Sequence, residues 1–110
     1  MTTTMQEEIQ KYPIYGLSDG KLIPLSIENV KQYNHFTHNL HHFIKKGDYA
    51  RNQKWYDERG IKQKLILLPI WVHLAVHQSP AGANLSDEQF KQKVGISRWD
   101  LVFNRRYSEY

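Results

Sequence analysis

The chain has no cysteine, which excludes disulfide staples, thiolate zinc sites and a cysteine nucleophile, and leaves His, Asp and Glu as the side chains able to ligate a metal. It also lacks a long apolar run. The longest, Leu65 to Val72, is interrupted by Pro69 and falls far short of the ~20 residues needed to span a bilayer, so no membrane insertion is expected. The start, Met1 to Lys11, is polar and acidic and does not follow the basic-then-apolar order of a secretory signal. There is no arginine-rich run, no internal repeat, and no pair of carboxylates at a spacing that suggests a two-metal nuclease.

What is present predicts one small α+β domain over residues 1–110, monomeric, with a modest core. The length of 110 residues and the 40% hydrophobic content leave no room for a second catalytic module. The net charge of +4 favours a polyanionic partner. Residues 1–11 have little apolar content and are expected to be flexible. Tyr12 to Leu25 reads as extended pieces joined by a Gly/Asp turn, and Ser26 as the cap of a helix through Ile27, Val30 and Tyr33. His38 to Ile44 is expected to be extended, and Asp48 to Arg59 a helix with Asp48 as its N-cap and Gly60 as its stop. Leu65 to Leu68 is expected to be a buried strand, with Pro69 opening a helix from Ile70 to Gln78 that Ser79-Pro80 ends. Ser86-x-x-Gln89 matches a capping box, Gly95 stops its helix, and Ser97 is expected to cap a last helix carrying Trp99, Val102, Phe103, Arg105, Arg106 and Tyr107. Trp55, Tyr56 and Trp71 are expected in the core.

Two histidine motifs carry the chemistry. His73 and His77 are four apart, which on a helix puts both rings on one face and lets them share one ion. The helix that bears them also carries Ile70, Trp71, Val72, Leu74, Ala75 and Val76. It is therefore expected to be largely buried, where unpartnered imidazoles would be costly and a metal would satisfy them. His41 and His42 are adjacent in an extended segment, so they face opposite ways: one can ligate the metal while the other stands beside it as a general base. His35 and His38 lie in polar surroundings and are set aside as loop residues.

The order of these motifs resembles the HNH superfamily of nucleases, whose active site is the ββα-metal fold. The run Leu40-His-His-Phe-Ile44, Gly60-Ile61, Leu67-Leu-Pro69, His73 and His77 is most similar to His-His variants found as C-terminal toxin domains of bacterial polymorphic toxins and to colicin DNase domains. The resemblance covers residues 38–80, expected as a ββα-metal core, with 86–110 as added C-terminal helices. It implies His41, His73 and His77 as metal ligands and His42 as the base that activates water. One divalent ion, zinc or nickel as isolated, with magnesium or manganese as alternatives, would bind the scissile phosphate and help the leaving oxygen depart. Where the family often has an Asn or His that orients the base, this chain has Lys64 or Leu65, and Asn52 could serve only if its loop is brought round.

Arg51 is a candidate phosphate contact, with Arg59, Lys62, Arg98, Arg105 and Arg106 as further nucleic-acid contacts. For the arginines near Trp99 and Tyr107 the bland alternative is a surface helix with Trp99 buried. The resemblance further implies a DNase released from a larger secreted toxin into a target-cell cytoplasm, used in bacterial competition and neutralised by a cognate immunity protein. An intracellular or phage origin, an RNA-cleaving toxin and a non-enzymatic binding protein held by structural zinc are the alternatives.

Overall fold

The computed structural model describes residues 3–31, 33–77 and 85–105. Its elements are α1 (Thr3–Lys11), β1 (Ile14–Ser18), β2 (Lys21–Leu25), α2 (Ile27–Lys31), β3 (His38–His42), α3 (Lys46–Arg51), α4 (Gln53–Glu58), β4 (Leu65–Pro69), α5 (Ile70–Val76), α6 (Asp87–Val94) and a 3₁₀ turn, Arg98–Asp100. The fold is α+β: four strands in the order β2-β1-β4-β3, with helices on both faces.

The apolar run of β4 explains this layering. Successive strand side chains alternate between faces, so Ile66 and Leu68 enter one core with Val72, Ala75, Val76, Phe90 and Leu101. Leu65 enters the other with Ile9, Ile14, Val30 and Leu40, and Leu67 packs against it. A strand apolar at every position must be covered twice, and α5 with α6 and α1 with α2 supply the two covers. β4 pairs with β3 antiparallel, His41 opposite Ile66 and His42 opposite Leu65, while β1 runs parallel to β4 on its other edge. With α5 packed back on β3 and β4, this makes a strand, strand, helix unit inside the larger sheet.

The β1–β2 hairpin closes on the two-residue loop Asp19-Gly20, both with positive φ, as a type I′ turn requires. Gly20 also touches the turn after α6: a Cβ there would sit 2.4 Å from the Gly95 carbonyl oxygen. Gly20→Ala is therefore expected to cost ~1–3 kcal/mol through left-handed strain and that clash, readable as a fall in Tm of the order of 10 °C.

Several expectations hold locally. Ser86 and Gln89 form the capping box, Gly95 ends α6 in the left-handed region, and Ser26 caps α2 by accepting from Asn29 N–H. Others do not. Residues 3–11 are helical, and Ile9, only 3% exposed, anchors α1 in the core. The expected helix from Asp48 to Arg59 is two short ones, broken at Asn52 (φ −123°). Asp48 lies within the first turn of α3, and no side chain caps that helix. Among the described residues, the expected last helix starts as a 3₁₀ turn, Arg98–Asp100, and is interrupted where Phe103 is drawn into a parallel bridge with Ile44, its N–H donating to the Phe43 carbonyl at 2.8 Å. Trp71 is half exposed and Trp99 is exposed, its Nε1 donating to Asp87, while Tyr56 is fully buried. Gln78, the Ser79-Pro80 stop and Tyr107 lie outside the described residues. Among the described residues no helix is long and apolar enough to cross a membrane.

Candidate metal centre

His41, His73 and His77 form a nearly equilateral triangle. Their ring centroids are 5.0 Å apart for His41 and His73, 5.1 Å for His41 and His77, and 4.9 Å for His73 and His77. One nitrogen from each lies within 4.8 Å of the other two. Ligand nitrogens on a tetrahedral zinc stand about 3.4 Å apart, given Zn–N bonds of ~2.0–2.1 Å, so small ring movements would close the set. The backbone explains the triangle: α5 starts directly after β4 and packs back against β3, turning its i, i+4 pair onto the strand that bears His41.

Two of the three rings have outer partners. His41 Nε2–H donates to the Leu101 carbonyl at 2.8 Å, which leaves Nδ1 as the coordinating lone pair. Leu101 reaches this position because the Ile44–Phe103 bridge runs the C-terminal segment alongside the end of β3. Gln63, itself buried, holds Ile44 from the other side, its Oε1 accepting from Ile44 N–H and its Nε2 donating to Ile44 O. Asn39, two residues before His41 and so on the same face of β3, meets His73 Nδ1 through its amide at 3.1 Å. As placed, the amide Nδ2 donates to His73 Nδ1; a metal on Nε2 would require the amide turned over, so that Oδ1 accepts from Nδ1–H.

The electrostatics suit a cation-binding set. Burial pushes the His41 imidazole down to about 3, overriding the Leu101 carbonyl, which favours the protonated ring; the three neighbouring histidines lower it further. Burial also lowers His73, with a contribution from His77, and burial lowers His77. All three are neutral at pH 7, as ligation requires. His41 is 3% exposed yet lines the cleft. Among the described residues, Arg98 Nε is the one buried side-chain nitrogen or oxygen without a partner, so His41 Nδ1 is open to that cleft. Three imidazoles that each bring a nitrogen within 4.8 Å of the other two, with the His41 ring fixed by the Leu101 carbonyl, fit a divalent metal ion.

His42 turns the other way, as alternation along a strand dictates. Its Nε2 lies 2.7 Å from Glu8 Oε2 on α1, and it is not a member of the three-histidine set. The four histidines therefore do not make a closed cage. Sequence reasoning missed Glu8, which sits 34 positions away in a segment expected to be flexible. Asn52, Lys64 and Leu65 do not take that role: the Asn52 amide donates to Asp48, Lys64 Nζ lies over the Phe43 ring at 4.3 Å, and Leu65 is in the core.

A cleft of about 750 Å³ opens beside the triangle, and its cationic lining comes from Lys45, Lys46, Arg51 and Arg105. The two lysines follow the strand carrying the His-His pair after only Phe43 and Ile44, a proximity that could have marked them. Arg105 is held by Asp48, its Nη2 donating to Oδ1 at 3.1 Å, and Asp48 also accepts from the Tyr56 hydroxyl. Burial, reinforced by the Asp48 carboxylate, pushes the Tyr56 phenol up to about 12, so it stays a donor.

The other proposed contacts fall elsewhere. Arg98 is 2% exposed and turned inward: it pairs with Asp87, donates to the Leu85 carbonyl at 2.7 Å and lies over the Phe90 ring. It pins the 3₁₀ turn to α6 and is not available to a phosphate. Arg59 stacks on Trp55, 4.2 Å from the ring centre, and neither it nor exposed Lys62 lines the cleft. Arg106 lies outside the described residues. Compared with known proteins, the chain matches no family model, and no curated protein or solved structure is measurably similar to it.

Proposed function

We propose that the protein is a metal-dependent endonuclease of the ββα-metal type that hydrolyses phosphodiester bonds in DNA. The observation that carries this reading is the pairing of a three-histidine set, His41, His73 and His77, with a fourth histidine, His42, held beside it in the same basic cleft. A divalent ion on the three imidazoles would supply Lewis acidity to the scissile phosphate and its leaving oxygen. His42 is the general base. With Nε2 engaged by Glu8, its Nδ1 takes the proton of a water whose oxygen forms the new P–O bond as the ester P–O bond breaks. Lys45, Lys46, Arg51 and Arg105 hold the phosphates flanking the cut. Zinc or nickel is the expected ion as isolated, since imidazole favours borderline transition metals, with magnesium or manganese as working alternatives.

The same reading makes the chain the toxic domain of a delivered bacterial toxin, acting in a target cell and silenced in the producer by a cognate immunity protein whose acidic surface would complement the cleft. The test is incubation of plasmid DNA and total RNA with the protein, with and without chelator and with each of the four metals. Nicked and then linear plasmid, only when metal is present, is the expected result. Cutting of RNA alone would move the substrate to RNA, and no cutting of either under any metal would remove the enzyme reading.

A further inference from the structure

Among the described residues, the ββα unit supplies no hydrogen bond to the His42 ring; the partner comes from the N-terminal helix. Glu8 is 7% exposed and its carboxylate is divided between two partners, Oε2 toward His42 Nε2 at 2.7 Å and Oε1 toward Lys46 Nζ at 3.0 Å. Placing a carboxylate in so dry a position has a cost. Burial raises the Glu8 carboxyl, yet the hydrogen bonds from Lys46 and His42, with the Lys46 charge, outweigh it and hold it below its usual range. Ile9, next in the chain, is buried among Ile14, Val30, Leu40 and Leu65, so the helix that carries Glu8 is anchored by its own packing. Anchoring α1 therefore does not require an ion pair.

We infer that Glu8 is a positioning residue for His42: it accepts from Nε2–H, fixes that tautomer and ring orientation, and leaves the Nδ1 lone pair directed to the cleft. This inference rests on the nuclease reading for its catalytic consequence, but the tautomer it imposes can be observed without activity. A neutral imidazole carries its proton on one nitrogen, and the bond made by the other sets which one. A carboxylate can only accept, so it selects Nε2–H. Lys46, drawn to the other oxygen, limits Glu8 to one orientation and brings an ammonium group to the cleft wall.

Three variants separate positioning from a packing role: Glu8→Ala, Glu8→Gln and Glu8→Asp. Ala and Gln both remove the charge pair with Lys46, but Gln retains an oxygen that accepts from Nε2–H. The measurements are kcat and KM on plasmid DNA, zinc affinity by calorimetry, and the His42 tautomer from long-range ¹H–¹⁵N spectra of the full chain. Glu8→Ala is expected to lower kcat about 10–100-fold, the usual effect of losing an outer partner, with KM and zinc affinity nearly unchanged. Glu8→Gln is expected to restore most of kcat, and Glu8→Asp, one methylene short, to fall between. The spectra are expected to show a single Nε2–H tautomer in the parent and in Glu8→Gln, and a mixture in Glu8→Ala. If Glu8→Ala does not fold, the Gln spectra and kcat decide alone. The inference is overturned if Glu8→Ala binds zinc normally and cuts at the parent rate, if the His42 tautomer does not change with residue 8, or if Gln loses as much kcat as Ala. If the parent cuts nothing while the tautomer still follows residue 8, the nuclease reading falls and the positioning role stands.

Discussion

His42→Ala is expected to reduce metal-dependent cleavage by ~10²–10⁴-fold, the range over which a positioned general base accelerates proton transfer, while leaving metal affinity within a few-fold of the parent. The separation is the informative part. His42 is outside the three-histidine set and its one hydrogen-bonded nitrogen faces Glu8, so its removal subtracts no ligand. His73→Ala, by contrast, is expected to lose metal and cleavage together. Single-turnover rates at saturating metal, with affinity measured in parallel, distinguish the two. Equal cutting by His42→Ala and the parent at equal metal occupancy would refute the assignment of the base. A parallel loss of metal and rate in His42→Ala would instead make His42 a fourth ligand and favour a structural zinc. Arg51 and Arg105 line the cleft, and as contacts to flanking phosphates under the proposed function they would act on KM more than on kcat.

The second large effect is thermodynamic. Zinc or nickel at 100 times its Kd is expected to stabilise the fold by ~2.7 kcal/mol by mass action, which for a domain of this size raises Tm by ~10–20 °C. His41→Gln, His73→Ala and His77→Ala should each abolish most of that rise. Without metal the protein should lose stability in acid, with a sign set by the histidines. Their ordinary value is 6.5, and in the fold His41 stands at about 3 with His73 and His77 also lowered. Above pH 6.5 folded and unfolded chains bind the same number of protons at these rings. As the pH falls from 6.5 toward 3 the unfolded chain takes up protons that the folded chain refuses, so stability drops by a few kcal/mol in that window. Glu8 and Asp48, both lowered, add a loss of the same sign below their ordinary values of 4.5 and 3.8. Urea midpoints between pH 7 and 5, with and without zinc, test this. A midpoint that is flat or rises toward pH 5 in the metal-free protein would contradict a neutral triangle with His41 buried.

How much of this was visible in the sequence depends on the range over which each feature is specified. The four-residue spacing of His73 and His77, the alternation of His41 and His42, the apolar run of β4 and the Ser86–Gln89 box are short-range patterns. Each acts through one turn of helix or one pleat of strand, and each appears as expected in the fold. Those patterns also bring three histidines together, because β4 and α5 are consecutive and β3 is the strand they pack on. Composition excluded thiolate ligands outright.

The partners that make the triangle a site were decided by tertiary packing. Glu8 meets His42 across 34 positions, Asn39 meets His73 across the same separation, and the Leu101 carbonyl meets His41 across 60. No local periodicity encodes such pairs. They follow from α1 being anchored by Ile9 and from Phe103 bridging to Ile44. The same packing turned Arg98 inward, where Asp87 and two backbone carbonyls hold its terminal nitrogens, and left Lys45 and Lys46 on the cleft wall. The sequence by itself determined which side chains can ligate and on which faces of their elements they lie, since both depend on residue type and backbone period. Only the tertiary structure decided which nitrogen of His41 and of His42 is held and which cations face the cleft, because those depend on where distant segments cross.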